Sequence, residues 1–204
     1  MGESAAKGTW KDRLGYFWMY YKIPVFLIAV AAIVIASFVH ANLTRKTSCL
    51  DVVLFDVHSS AEEGALENDF ERYAGVDTKE YAATISTSLM LSDSSSSSYS
   101  MGSLARLYTQ AGTGKLDVCA MREKDFRKYE KAGIFLDLSK VLSKEEIARY
   151  NVRRDKNGAV TGIYLKDSAR IKKIGGYPES DGAIGILKQT KHIGMAKAFL
   201  RWMR

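Results

Sequence analysis

Seventeen consecutive residues, Ile23 to Val39, carry no charge, and aromatic and basic flanks bound them. As a helix rising 1.5 Å per residue, that run spans roughly 26 Å, and Ile23 to Leu43 spans roughly 32 Å, which matches a bilayer's hydrocarbon core. The run is apolar on every side, so lipid suits it better than a protein interior that would have to cover all its faces. The sequence therefore predicts a single transmembrane helix over residues 23–43, with the lipid bilayer as a partner. Pro24 is placed in the first turn, where its missing N–H costs no hydrogen bond. Ahead of it, Trp10, Tyr16, Phe17, Trp18, Tyr20 and Tyr21 form the aromatic girdle expected at headgroup depth. Lys7, Lys11, Arg13 and Lys22 precede the run, and only Arg45 and Lys46 follow closely. That asymmetry points to a cytoplasmic N-terminus and an extracytoplasmic C-terminal domain at the cell membrane. A cleaved signal peptide competes, since Val39 and Ala41 are small enough for processing before Asn42. The length of the apolar run favours an uncleaved anchor. The expected division is a cytoplasmic juxtamembrane segment (1–22), the helix (23–43), a linker (44–48) and an extracytoplasmic α/β domain (49–204).

Residues 49–204 suffice for one domain with a real core and are too few for two large ones. The formal charge of +7 is uneven: +2 over residues 1–44, −3 over 45–150 and +8 over 151–204. A basic tail invites a nucleic-acid reading, yet its Lys and Arg residues are scattered without zinc-finger spacing or a tight cluster. Nucleic acid is thus disfavoured, and anionic headgroups, envelope polymers or plain solvation suit the tail better. Cys49 and Cys119 are the only cysteines, and His40, His58 and His192 show no ligand spacing, so neither metal nor cofactor is expected. A disulfide and two free thiols both remain open.

The C-terminal part reads as alternating strands and helices. Leu50–Phe55 is a near-continuous apolar strand, as expected of a sheet covered on both faces. Residues 61–74 read as a helix with Leu66, Phe70 and Tyr73 inward and Glu62, Glu63, Glu67 and Glu71 on the other side, stopped by Gly75. Tyr81–Leu91 alternates as a second strand. Ser92–Ser100 is a low-complexity loop, followed by a helix over Gly102–Ala111. Leu116–Met121 is a third strand, Glu123–Ala132 its helix, and Ser143–Glu146 a capping box. Further on, Lys156-Asn157-Gly158 marks a turn between short strands, Gly175 to Gly182 a loop, Ala183–Leu187 a strand, and Ile193–Met203 a closing helix. Strand and helix alternation of this kind predicts a three-layer α/β domain on a mostly parallel sheet.

That order resembles one lobe of the extracytoplasmic solute-binding proteins, the type-two periplasmic-binding fold. Three stretches carry the likeness: Leu50–Phe55 with the helix through Phe70; Gly114-Lys115-Leu116-Asp117-Val118 with Phe126 and Gly133 to Leu138; and Ala183-Ile184-Gly185-Ile186 with Ala196, Phe199 and Leu200. The resemblance implies a shortened, membrane-anchored relative, because about forty residues between Leu142 and Ala183 leave no room for a full second lobe.

In open α/β sheets, ligands collect beyond the carboxyl ends of the strands. The groups expected there are Asp56, His58 and Ser59 after the first strand, Ser92 and Asp93 after the second, and Arg122 after the third. Tyr177 offers an aromatic surface from the later loop. A hydrolase built from Asp56, His58 and a serine lacks a nucleophile elbow and an oxyanion site, so no catalytic residue is assigned. Gly112-Thr113-Gly114-Lys115 follows a helix and feeds a strand, the reverse of a phosphate-binding loop. The expected function is a non-enzymatic binding or sensing module of a bacterial-type envelope, recognising a small polar ligand or a membrane partner protein. The alternative is a structural or assembly subunit of a membrane or envelope complex with no small-molecule ligand.

Overall fold

A computed structural model describes residues 10–43, 46–57, 64–91, 98–177 and 182–204. The chain divides into two compact units, Met1–Arg45 and Lys46–Arg204. Among its described residues the first contains one helix, α1 (Trp10–Leu43), whose window Ile23–His40 is long and apolar enough to cross a membrane and has none of its residues buried. The helix begins well ahead of the expected Ile23, so Pro24 lies in its interior rather than in its first turn. There the proline removes one backbone hydrogen bond from the helix.

The second unit is built on a six-stranded sheet in the order β2-β1-β3-β6-β5-β4. Strand β1 (Thr47–Leu54) lies parallel to both β2 (Tyr81–Ser86) and β3 (Val118–Arg122). Beyond β3 the sense changes: β6 (Gly182–Ile186) runs antiparallel to β3 and to β5 (Val160–Tyr164), which is antiparallel to β4 (Val152–Arg154). The sheet is thus mixed, parallel at one end and antiparallel at the other, which corrects the expectation of a mostly parallel sheet. The β4–β5 connection is the turn expected at Lys156-Asn157-Gly158, with Asp155 Oδ1 accepting the N–H groups of Asn157 and Ala159.

Alternate residues of β1 enter two cores. Val52 and Leu54 pack with Phe70, Phe199 and Trp202 under α2 (Ala65–Ala74) and α7 (Ile193–Trp202), while Val53 and Phe55 pack with Leu107, Met121 and Phe126 under α3 (Ser98–Thr113) and α4 (Glu123–Lys131). Burial on both faces is why Val52–Phe55 and Val118–Met121 read as unbroken apolar runs. On the second face Phe126 and Phe135 stack with ring centroids 4.0 Å apart. They lie directly on the strand backbone: a Cβ at Gly162 would come 2.6 Å from Phe126, and one at Gly185 2.6 Å from Phe135.

Several local expectations shift. The second strand ends at Ser86 rather than Leu91, although Leu89 and Leu91 stay buried. Ser98 to Ser100 belong to α3, not to a loop. A short helix α5 (Lys144–Ile147) carries the expected capping box on Ser143 and Glu146. Another, α6 (Ala169–Lys173), is capped by Ser168 in a stretch where the sequence pattern predicts no helix. In α2, Tyr73 is exposed while Glu71 is buried, the reverse of the expected inward stripe. The cause is visible at the sheet edge, where Glu71 Oε1 accepts the Ala83 N–H at 2.8 Å and Glu67 Oε1 the Ile85 N–H at 3.1 Å. Both cysteines are free thiols. Cys119 pairs in register with Val53, so Cys49 lies four residues along the neighbouring strand, roughly 13 Å away and beyond disulfide reach.

Candidate functional site

The carboxyl ends of β1 and β3 bring three of the expected site residues together. Asp56 follows β1 in the left-handed region (φ 57°) and turns its carboxylate back into the fold. Its Oδ1 accepts the Leu91 N–H at 2.9 Å, and its Oδ2 accepts from Arg122 Nε at 3.1 Å. Tyr177, also left-handed (φ 48°), buries its ring and donates its hydroxyl to the Phe55 carbonyl. A Cβ on Gly182 would overlap that ring, so glycine is required where β6 starts beside it. Burial, then the nearby Asp56 carboxylate, pushes the Tyr177 phenol well above its usual range, and it stays protonated as a donor.

Asp56 and Tyr177 are the only non-glycine residues with positive φ among the described residues, and they meet at one junction. Such strain is held where surrounding structure over-determines it, and it gathers at functional sites. Here both side chains are spent on internal hydrogen bonds, so they orient the junction rather than offer themselves to a ligand. Asp56 fixes Arg122, whose side chain is 42 % exposed. His58, Ser59, Ser92 and Asp93 lie outside the described residues.

A cavity of about 350 Å³ opens beside this junction, at the end of β1. Leu54, Leu66, Ile174, Trp202 and Met203 supply its apolar wall, and Asp69, Arg170 and Lys173 its charged side. Its size falls in the range of small-molecule sites, and its mixed lining is of the usual kind. Helix α6 builds the charged side. Arg170 donates through Nε to the Trp202 carbonyl at 2.7 Å and through Nη1 to Asp69 at 2.5 Å, while its guanidinium lies 4.3 Å from the centre of the Trp202 ring. Ser168 donates its hydroxyl to the Met203 carbonyl. Two last-turn carbonyls of α7 thereby gain donors, and α6 is locked in place. Ile174 lines the cavity and Tyr177, three residues later, closes on Phe55, so one short segment serves both features. The indole Nε1 of Trp202 is the one buried side-chain N or O atom without a hydrogen-bond partner among the described residues.

Comparison with protein-family models, with curated proteins and with solved structures finds no match for this chain. The geometry alone carries the reading.

Sequence reasoning reached Asp56, Arg122 and Tyr177 but not Arg170, Lys173 or Trp202. The available signal was Ser168 followed by Arg170, Ile171, Lys173 and Ile174 before two glycines, a one-turn capped helix with cations beside its apolar positions. His192, which shows no metal-ligand spacing in the sequence, places Nδ1 3.0 Å from Asp117 Oδ2. Asp117 is 1 % exposed and also accepts the Asp51 N–H and the Thr190 hydroxyl. This cluster sits where β3 begins, at the opposite end of that strand from Arg122, and ties the chain after β6 to β1 and β3.

Proposed function

We propose that the chain is a membrane-anchored extracytoplasmic binding or sensing module, in which Lys46–Arg204 forms a lobe of the periplasmic-binding type. Its ligand is a small polar molecule with a negatively charged end and an apolar body. The observation that carries this reading is the cavity at the end of β1, where Leu54, Leu66, Ile174 and Met203 share the lining with Lys173, Arg170 and the Asp69 that pairs with Arg170. Arg170 is already held by Asp69 and the Trp202 carbonyl, so its orientation costs little further entropy on binding. Lys173 is exposed and supplies the less constrained cation. The apolar helix α1 supports the anchor, and the excess of Lys and Arg before it supports the orientation.

Trp202 provides the test. The chain contains three tryptophans, and replacing Trp10 and Trp18 with Phe leaves Trp202 as the sole indole reporter. With that variant in lipid nanodiscs, hexanoate gives a saturable change in fluorescence, whereas acetate and hexylammonium do not. Lys173→Gln weakens the hexanoate response several-fold. Equal responses to hexanoate and hexylammonium, or no saturable response to either, would remove the ligand and leave the assembly-subunit alternative.

A further inference from the structure

We propose a second ligand site, for a small and highly charged phosphate-bearing anion, in the cleft between α4 and the β4–β5 turn. This cleft of about 650 Å³ differs in kind from the cavity at Trp202, because every residue lining it is polar or charged. Five cations (Arg127, Lys131, Arg153, Arg154 and Lys156) face two carboxylates, Glu130 and Asp155.

The carboxylates do not neutralise the rim. Glu130 is committed to the floor, accepting Arg153 Nε at 3.0 Å, Arg153 Nη2 at 2.8 Å and the Thr161 hydroxyl. Arg153 is completed by Glu123 at 2.8 Å and the Tyr164 hydroxyl at 3.1 Å, and Arg127 also pairs with Glu123 at 2.7 Å. Asp155 turns its Oδ1 onto the Asn157 and Ala159 N–H groups, which shapes the β4–β5 turn. Lys131, Arg154 and Lys156 are exposed and make no ion pair among the described residues. Three like charges therefore surround a rigid, internally satisfied floor, and no apolar residue is among those lining the cleft.

Such a rim binds an anion by relieving its own repulsion, and compact multiply charged groups gain most. The cleft has space for more than one phosphate, so an oligophosphate or a soluble phosphate ester fits it better than a single carboxylate. The floor holds the Arg153 guanidinium fixed, while Lys131, Arg154 and Lys156 close from two elements. This site depends on the fold alone and stands whether or not the Trp202 cavity binds a ligand.

Pyrophosphate is the probe, titrated calorimetrically at 0.15 M salt into the full chain in zwitterionic nanodiscs. The expected result is one saturable site per chain. The triple variant Lys131→Gln/Arg154→Gln/Lys156→Gln lowers its affinity at least about tenfold, through loss of three charged contacts. A control triple that removes the same charge elsewhere, Lys79→Gln/Lys140→Gln/Lys172→Gln, changes it less than about twofold by the same long-range field. Both triples keep the wild-type denaturation midpoint, since none of these side chains belongs to the buried network. Absence of saturable binding, or equal loss from the two triples, would overturn the site. Binding of anionic vesicles that depends on the rim cations, without pyrophosphate binding, would also overturn it and make the cleft a headgroup contact.

Discussion

Arg153 brings a charge into the fold with 8 % of its side chain exposed, and its partner Glu130 is buried to the same degree. Removing one member of a buried pair strands the other, which costs about 3 kcal/mol or more. Arg153→Ala should therefore lower stability by about 3 kcal/mol in urea denaturation, while Thr161→Val, which removes one hydroxyl donor to the Glu130 carboxylate, should cost about 1.5–3 kcal/mol. Gly182→Ala should cost about 1–3 kcal/mol, because the new methyl meets the Tyr177 ring. The pH dependence follows from carboxylates whose folded pKa values are depressed. Arg127 holds the Glu123 carboxyl below its ordinary value of 4.5, and the Ser143 N–H with the Arg201 guanidinium does the same for Glu146. A depressed pKa means that the folded state binds the proton less readily than the unfolded chain. Their contribution is thus complete above the ordinary value and is lost as pH falls through the folded values. Urea midpoints should be level from pH 7 to about 5 and fall below about 4.5, and Glu123→Gln should remove part of that fall.

Helix α2 has a task beyond covering the core, because it lends two carboxylates to the open edge of β2. An unpaired strand edge is a template for association with another chain, and Glu67 and Glu71 occupy it. Glu71→Ala leaves the buried Ala83 N–H without an acceptor and should cost about 1–3 kcal/mol, whereas Glu71→Gln keeps an acceptor and should cost less. Hydrogen exchange at Ala83 and Ile85 should accelerate in Glu67→Ala/Glu71→Ala, and that variant should self-associate at high concentration. The same helix shows why the sequence was only partly legible. Its boundaries at Ala74 and Gly75 follow from glycine's left-handed preference, but a helical wheel places Tyr73 inside and Glu71 outside. The true arrangement depends on a strand edge that periodicity does not contain. Strand β6 was recognised as apolar, yet its direction was not, since a strand buried on both faces reads alike in either sense. Helix α6 was too short for periodicity to register, and with it went Arg170 and the cavity wall. Asp56 and Arg122 were legible because strand ends follow from strand positions. Arg153 and Glu130 were not, being brought together by pairing between distant elements.

At the scale of the whole molecule, a long apolar helix and a two-core α/β unit share one chain, and charge is distributed unevenly between its ends. The basic tail that the sequence left unassigned divides on folding. Arg153, Arg154 and Lys156 go to the polar cleft, and Arg170 and Lys173 to the cavity beside Trp202. Both sites require an aqueous compartment that their ligands can reach, so the proposed function depends on where Lys46–Arg204 lies. Labelling from one side of a sealed membrane decides this. Lys79 is exposed ahead of β2, and Lys79→Cys provides a thiol there, while native Cys119 is buried and Cys49 is partly covered. In spheroplasts expressing this variant, a membrane-impermeant maleimide should label the chain above the parent background, to the same extent before and after lysis, with the labelled chain in the membrane pellet. Labelling that appears only after lysis, or a labelled chain in the soluble fraction, would contradict an extracytoplasmic domain held by a membrane helix.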